Sequence, residues 1–178
     1  MDGAKKAKVL MVMHGSPEPS YERIATAFVQ AWQRYYPAVD AALCFLEHQS
    51  PLLAEMMQRR DTDRYQGVVP LFLNEGRHVR RDIPTIVGTR SSLHISRPLT
   101  DAAAVADVMM ERLGVMPALA GHLLLYSHGS RDDHQTVERL AEVLRVRLEW
   151  PVNVVLASDG ERRLDEVLRQ ARHAGATS

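Results

Sequence analysis

Cysteine is almost missing from this chain of 178 residues, with Cys44 the single example. An internal disulfide is therefore excluded, and so is a metal site built from several thiolates. A basic excess is missing as well. Lys and Arg together number 22 and Asp and Glu together number 22, a formal net charge of zero. The electrostatic footprint of a protein that grips nucleic-acid backbones is not there, so no nucleic-acid partner is expected. Long apolar runs are also lacking. Stretches such as Val9 to Met13 and Val68 to Leu73 fall far short of the roughly 18 residues a spanning helix needs, so no membrane span is expected. Lys5, Lys6 and Lys8 precede only a short apolar stretch, and no small-residue cleavage site follows, so the expected compartment is the cytoplasm. What remains is ordinary globular composition, 46% hydrophobic and 25% charged. At this length it suffices for one substantial core or two small ones.

The apolar pattern switches repeatedly between two periods. Val9 to Met13 reads as a strand that runs into His14-Gly15-Ser16. Ile24, Phe28, Ala31 and Tyr35 then recur at helical offsets, with Ser20 placed to cap that helix and Pro37 to stop it. Ala41 to Leu46 is a second strand, about Leu52 to Arg60 a second helix, and Val68 to Leu73 a third strand. Pro70 sits awkwardly in that third run, because proline donates nothing to a ladder and belongs at an edge or a bulge. His78 to about Val87 predicts a short helix interrupted by Pro84, Leu93 to Ile95 a fourth strand, and Asp101 to Leu113 a helix with Val105, Met109 and Leu113 on one face. Cys44, inside an apolar run, is expected to be a buried thiol. Strands alternating with helices imply an α/β fold with a mostly parallel sheet covered on both faces.

The pattern then restarts. Gly121 to Ser127 reads as a strand ending in His128-Gly129-Ser130, followed by a helix bearing Val137, Leu140, Ala141, Leu144 and Leu148. Val152 to Ala157 is the next strand, and Leu164, Val167, Leu168 and Ala171 mark a last helix. The two His-Gly-Ser turns lie 114 residues apart, which is the signature of an internal repeat. We therefore expect one complete domain at 1–118 and a partial second copy at 119–178, jointed at Gly114 to Ala120. A sheet edge left open by a partial copy predicts pairing with a second chain, a homodimer.

Open parallel sheets place their ligand crevices at the carboxyl ends of their strands, and three residues with useful donors fall there. His14 ends the first strand, Glu47 the second, and His78 follows the third. Neutral imidazole and carboxylate both donate to divalent transition metals, so the grouping suits such an ion. Their separations are too long for a local ligand motif, and the grouping rests on the fold. Taken singly, a histidine beside a turn is more often structural, and an acid before Pro51 serves equally well as a solvated residue. Gly15 permits a tight turn, and the helix that follows offers free N–H groups to an anion. Arg77, Arg80 and Arg81 surround His78, with Arg59 and Arg60 ending the preceding helix. Their guanidinium forks match the carboxylates of a polyanionic small molecule, or they form a solvated face. A phosphate-ester enzyme with a strand-end histidine nucleophile ranks last, because Met13 stands where such enzymes usually place an arginine.

Three stretches together resemble a known family. Met13-His14-Gly15-Ser16, then Cys44-Phe45-Leu46-Glu47 with Pro51, then Val69-Pro70-Leu71-Phe72-Leu73 through Gly76-Arg77-His78-Val79 to Asp82-Ile83-Pro84 are similar to the class II tetrapyrrole chelatases. The resemblance is specifically to the sirohydrochlorin cobaltochelatase and ferrochelatase family. It covers about residues 8–118, and the third stretch, with its internal proline, is the most specific. His128-Gly129-Ser130-Arg131-Asp132 resembles the opening of the second half found in two-domain members. The resemblance implies a chelatase-like three-layer αβα fold and a lyase-type chelatase that inserts Co²⁺ or Fe²⁺ into sirohydrochlorin, for cobalamin or sirohaem. It implies that His14, Glu47 and His78 handle the metal and carry catalysis. It also implies that Gly15, Ser16, Arg77, Arg80 and Arg81 meet the eight carboxylates of the tetrapyrrole. The metal is then a substrate, and no permanently bound cofactor is expected. Cobalt, iron and nickel are not distinguished by these donors. The chain departs from the family at Pro17-Glu18, where relatives commonly have Arg and Asp after the Ser. Its second copy keeps His128 but has no counterpart of His78. Glu161 stands 33 residues after His128, as Glu47 does after His14, but Ser158-Asp159-Gly160 does not reproduce Phe45-Leu46 and the match is read as coincidence. The competing expectation is a protein that binds metal or tetrapyrrole without inserting.

Overall fold

The structure, a computed structural model, describes residues 6–88, 93–114, 121–127 and 134–173. Two compact units divide between Leu99 and Thr100.

In the first unit, strands β1 (Ala7–Met13), β2 (Val39–Phe45), β3 (Gly67–Pro70) and β4 (His94–Ile95) form one parallel sheet in the order β2-β1-β3-β4. β1 lies in the interior, with Val9 opposite both Ala41 and Gly67. Parallel neighbours require crossovers, and helices α1 (Tyr21–Tyr35), α2 (Leu53–Gln58) and α3 (Ile83–Val87) lie in them. Side chains alternate across the sheet, so each strand serves both faces. Leu10, Val12, Cys44 and Val68 point into a core closed by Leu53, Met56 and Met57 of α2 and by Ile83 and Val87 of α3. Met11 and Phe45 are buried on the opposite face, where the ring of Tyr21 from α1 stands 6.4 Å from that of Phe45. Cys44 is fully buried, as expected.

Helix α1 is rolled relative to the sequence expectation. Ile24 is 64% exposed and Tyr35 82%, while Ala25 is buried at 1%. The inward face runs through Tyr21, Ala25, Val29 and Trp32, about a quarter turn around the helix from the predicted stripe. Both stripes have helical spacing, so periodicity alone did not separate them. Ser20 occupies the N-cap position without a side-chain cap, its hydroxyl donating instead to Glu18 Oε1 at 3.3 Å. From the end of the same helix, the Gln33 amide donates to Val39 O and accepts from Ala41 N–H on the outer side of β2.

Pro70 is the last residue of β3 and is fully buried. Leu71 N–H donates to Val12 O on the β1 side, while Val68 O accepts from Ser96 N–H on the β4 side. By the period of two, the nitrogen of Pro70 faces the β4 side, past Ile95, where β4 has already ended. A proline is therefore tolerated there without a lost ladder bond, and the strand stops at 70 rather than 73. Beyond it, Pro84 cannot continue an α ladder, since it lacks an N–H and its ring meets the carbonyl four residues back. The chain answers with a π turn over His78–Asp82, closed by Ile83 N–H on His78 O, before α3 begins.

In the second unit, α4 (Ala102–Leu113) and α5 (His134–Leu148) pack on one face of a parallel pair, β5 (Leu123–Ser127) and β6 (Val152–Leu156), with α6 (Glu161–His173) following. Leu125, Ala141, Leu144, Leu148 and Val152 form this core with Ala106 of α4. The division thus falls earlier than the expected 118/119 joint, because the small face of α4 packs against α5. Ala106, Met109 and Met110 make that contact, whereas Leu113 is 56% exposed, so the predicted Val105-Met109-Leu113 face is shifted. Asp101 caps α4, accepting from the N–H groups of Ala103 and Ala104. Among the described side chains of α6, Val167 is the buried one. The second His-Gly-Ser turn, 128–130, and most of the expected joint lie outside the described residues, as does the side chain of Glu161. Among the described residues, no helix is long and apolar enough to cross a membrane.

Candidate metal-handling site

Strands β1, β2 and β3 of the first unit end on one rim, and the loops that leave them are laced together. His14 follows β1 directly. Leu46 N–H donates to Met13 O at 3.0 Å and Glu47 N–H to His14 O at 2.9 Å, carrying the β1–β2 pairing past the end of the strands. Gly15 has φ +97° and is buried. A Cβ on it would stand 1.9 Å from Glu47 O, so only glycine allows the two loops this approach. Gln49 completes the lacing. Its Oε1 accepts from Ser16 N–H at 2.9 Å and its Nε2 donates to Ser16 O, so one side-chain amide mimics a neighbouring strand.

This lacing fixes His14, and the π turn delivers His78 to it. The two imidazoles meet edge to face with ring centroids 4.6 Å apart, and their Nε2 atoms are 3.2 Å apart. Phe72 lies on the far side, its ring 6.2 Å from that of His78. A single ion held by two imidazole nitrogens at about 2.0–2.1 Å would subtend an angle of about 100° at this spacing, between octahedral and tetrahedral values. Each ring has an oxygen behind it. His14 Nδ1 is 2.9 Å from Gly15 O, and His78 Nδ1 is 2.8 Å from Asp82 Oδ2. Arg77 Nε stands 3.7 Å from the other oxygen of Asp82.

The predicted residues fare differently. His14 and His78, 64 positions apart in sequence, are brought into contact. Glu47 reaches the site through its backbone, while its carboxylate is exposed and lies 3.7 Å from His48 Nε2. Among the described residues, no group of three or more His, Cys, Asp or Glu side chains is gathered tightly enough to hold a metal. Gly15 and Ser16 form the turn against the Glu47 loop. Arg77, Arg80 and Arg81 are exposed around His78, with Arg80 loosely paired to Glu75 at 3.9 Å. Sequence reasoning assigned no role to Gln49 or Asp82. Gln49 acts across 33 residues and leaves no periodic mark. Asp82 stands four residues after His78, a spacing that puts two side chains on one side of a helical turn.

The sequence model of the CbiX family matches residues 8–115, more than half of the chain. The chain belongs to the CbiX family. That span runs from the start of β1 to just past α4 and contains every site residue described above. Among relatives, the chain is 34% identical over 83 residues to a sirohydrochlorin cobaltochelatase of Saccharolobus solfataricus, a match covering 45% of this chain and 62% of the relative. It is 27% identical over 111 residues to a sirohydrochlorin cobaltochelatase of Sulfurisphaera tokodaii, covering 59% of this chain and 89% of that protein. This CbiX-family chain thus spans about three fifths of the length of the first of these relatives. In fold it is similar to the sirohydrochlorin chelatase SirB of Bacillus subtilis subspecies spizizenii, solved in complex with cobalt. The TM-score is 0.73 at 22% identity, over 94% of this chain and 72% of that one.

Proposed function

We propose that this chain is a sirohydrochlorin chelatase, a lyase that inserts a divalent metal, Co²⁺ or Fe²⁺, into the tetrapyrrole. The observation that carries the reading is the facing pair of Nε2 atoms of His14 and His78, 3.2 Å apart at the strand ends of a CbiX-family fold. Insertion replaces two pyrrole N–H protons by one dication, so the reaction releases two protons for each metal that enters. A neutral imidazole is suited to both halves of that exchange, as a transient ligand to the incoming ion and as an acceptor for a departing proton. His14 and His78 are assigned these roles. Glu47 supplies a carboxylate on the adjoining loop, able to help strip water from the ion or to take a proton.

The tetrapyrrole is placed by its carboxylates. Arg77, Arg80 and Arg81 present exposed guanidinium groups beside His78, and forks of this kind bind carboxylates in bidentate fashion. Gly15 and Ser16 shape the floor of the first loop. The metal is consumed as a substrate, and the chain carries no resident cofactor in this reading. A homodimer is supported by the β5-β6 pair, a sheet of two strands among the described residues with an outer edge on each. A monomer by light scattering at micromolar concentration removes that support.

The test is a spectrophotometric insertion assay with sirohydrochlorin and Co²⁺ or Fe²⁺, run against the uncatalysed rate. Insertion that is lost in folded His14→Ala and His78→Ala proteins is the expected result, and the faster metal points to the pathway served. Tetrapyrrole binding with no rate above background refutes catalysis and leaves a carrier in its place.

A further inference from the structure

We propose that Asp82 is a positioning residue for this site, holding His78 in the tautomer that turns a free Nε2 lone pair toward His14 and an incoming metal. The proposal rests on the reading of His14 and His78 as the metal-handling pair. It extends that reading to a residue outside the pair.

The geometry runs through one line of atoms. Asp82 Oδ2 lies 2.8 Å from His78 Nδ1, and His78 Nε2 lies 3.2 Å from His14 Nε2. A carboxylate only accepts hydrogen bonds, so the proton of a neutral His78 belongs on Nδ1, and Nε2 keeps its lone pair. The alternative tautomer would set two acceptors against each other at 2.8 Å and would cap the metal-facing nitrogen with a proton. Partners of this kind fix ring orientation and raise the basicity of a ligating imidazole.

Local structure makes the contact dependable. His78 and Asp82 are the first and last residues of the π turn, which runs into α3 with Pro84 in its first turn. A π turn advances its residues by less than an α turn does, so the first and fifth side chains stay on one side. Asp82 is held in turn by Arg77, whose Nε lies 3.7 Å from Oδ1, so both carboxylate oxygens are engaged. Its side chain is 32% exposed and that of His78 is 34% exposed, which shields the contact in part from water. His14 is served differently, by the carbonyl of Gly15 at 2.9 Å from its Nδ1, so both rings present a bare Nε2 and the two lone pairs meet across 3.2 Å, an unfavourable contact that an entering cation relieves. A backbone carbonyl cannot be removed by substitution, and this makes Asp82 the testable member of the two.

The experiment compares the full chain with Asp82→Ala and Asp82→Asn. Imidazole nitrogen and proton shifts by NMR report the His78 tautomer in the metal-free protein, and titration with Co²⁺ alone, followed by calorimetry, reports affinity. In the unsubstituted protein His78 is expected as the Nδ1–H tautomer. Asp82→Ala is expected to shift His78 toward the Nε2–H form and to weaken Co²⁺ binding by about 10–100-fold. Asp82→Asn, which still offers an oxygen to Nδ1–H, is expected to fall between the two. If Asp82→Ala does not fold, the Asn variant alone decides the matter. Either variant with the tautomer unchanged and Co²⁺ affinity within about two-fold of the parent overturns the proposal. The tautomer readout needs no tetrapyrrole. A chain that fails to insert metal but shows the tautomer shift refutes the chelatase reading and leaves the role of Asp82 standing, whereas an active chain indifferent to Asp82 does the reverse.

Discussion

Replacing Gly15 by alanine should loosen the whole first unit, and the structure allows the size of the effect to be worked out. Two costs combine. The first is conformational: Gly15 has φ +97°, and a residue with a Cβ pays about 1–2 kcal/mol in left-handed backbone. The second is steric. The new methyl would stand 1.9 Å from Glu47 O and 2.9 Å from its carbonyl carbon, and backbone cannot swing aside as a flexible side chain can. Relief requires the loop after β2 to retreat by more than about 1 Å, the difference from an ordinary carbon contact. That movement breaks or stretches the bond from Glu47 N–H to His14 O and both Gln49 bonds to Ser16, each worth about 1 kcal/mol net. If most of these are lost, the total is about 3–5 kcal/mol. For a unit near 100 residues this lowers the melting temperature by about 12 °C or more. Gly114→Ala is the matched control. It has φ +60° at the end of α4, and a Cβ added there would meet nothing within 4 Å, so it isolates the conformational cost at about 1 kcal/mol. Calorimetric melting of both variants beside the parent is the assay. A Gly15→Ala protein no less stable than Gly114→Ala would show that the two loops do not need their close approach.

Two further predictions concern buried groups. Thr62 is 1% exposed, and its hydroxyl lies 2.6 Å from Met56 O and 2.7 Å from Arg59 O, so it pins the end of α2 to the turn that follows. Thr62→Val keeps the shape and removes the donor. Both carbonyls retain a backbone N–H partner, so the expected loss is about 1–2 kcal/mol in urea unfolding, and a neutral variant would contradict it. Burial pushes the Cys44 thiol up to about 12, so iodoacetamide at about pH 8 should leave the folded protein unmodified and label it fully in guanidinium. The folded value lies above the unfolded one. The stabilisation tied to the neutral thiol is therefore complete below about pH 8.5 and is lost as pH rises toward 12, a decline that Cys44→Ala should abolish.

Period and punctuation made much of the fold legible. Short apolar runs located all six strands of the described residues to within a few positions, and Pro84 foretold the interrupted helix at His78. Burial was less legible where two faces of one helix were both apolar. Helix α1 carries Ile24, Phe28 and Tyr35 on one stripe and Tyr21, Ala25 and Trp32 on the next, and packing against β2 chose the second. In α4 the small Ala106, rather than the larger Leu113, marked the contact, since close helix packing favours a small side chain where backbones approach. Within the site, His14 and His78 were legible because strand ends in a parallel sheet share a rim. The contacts that hold them, from Gln49 and Asp82, were not. They depend on where one side chain meets a distant backbone or ring, and no spacing rule encodes that.

The amide of Gln33 gives the outer margin of the first sheet an unusual dependence. On that side β2 is met by Gln33 near its start and by Pro51 and Leu52 at its end, where Phe45 N–H donates to Pro51 O. Among the described residues no further strand is involved. A strand partner would resist any single mutation, since its main chain survives every change of side chain. A glutamine does not. Losing that amide would free Val39 O and Ala41 N–H, two main-chain groups on an edge strand of the kind along which chains can pair. One side-chain amide at position 33 thus does for this edge what a neighbouring strand would do, and a change there alters the edge without touching the histidines.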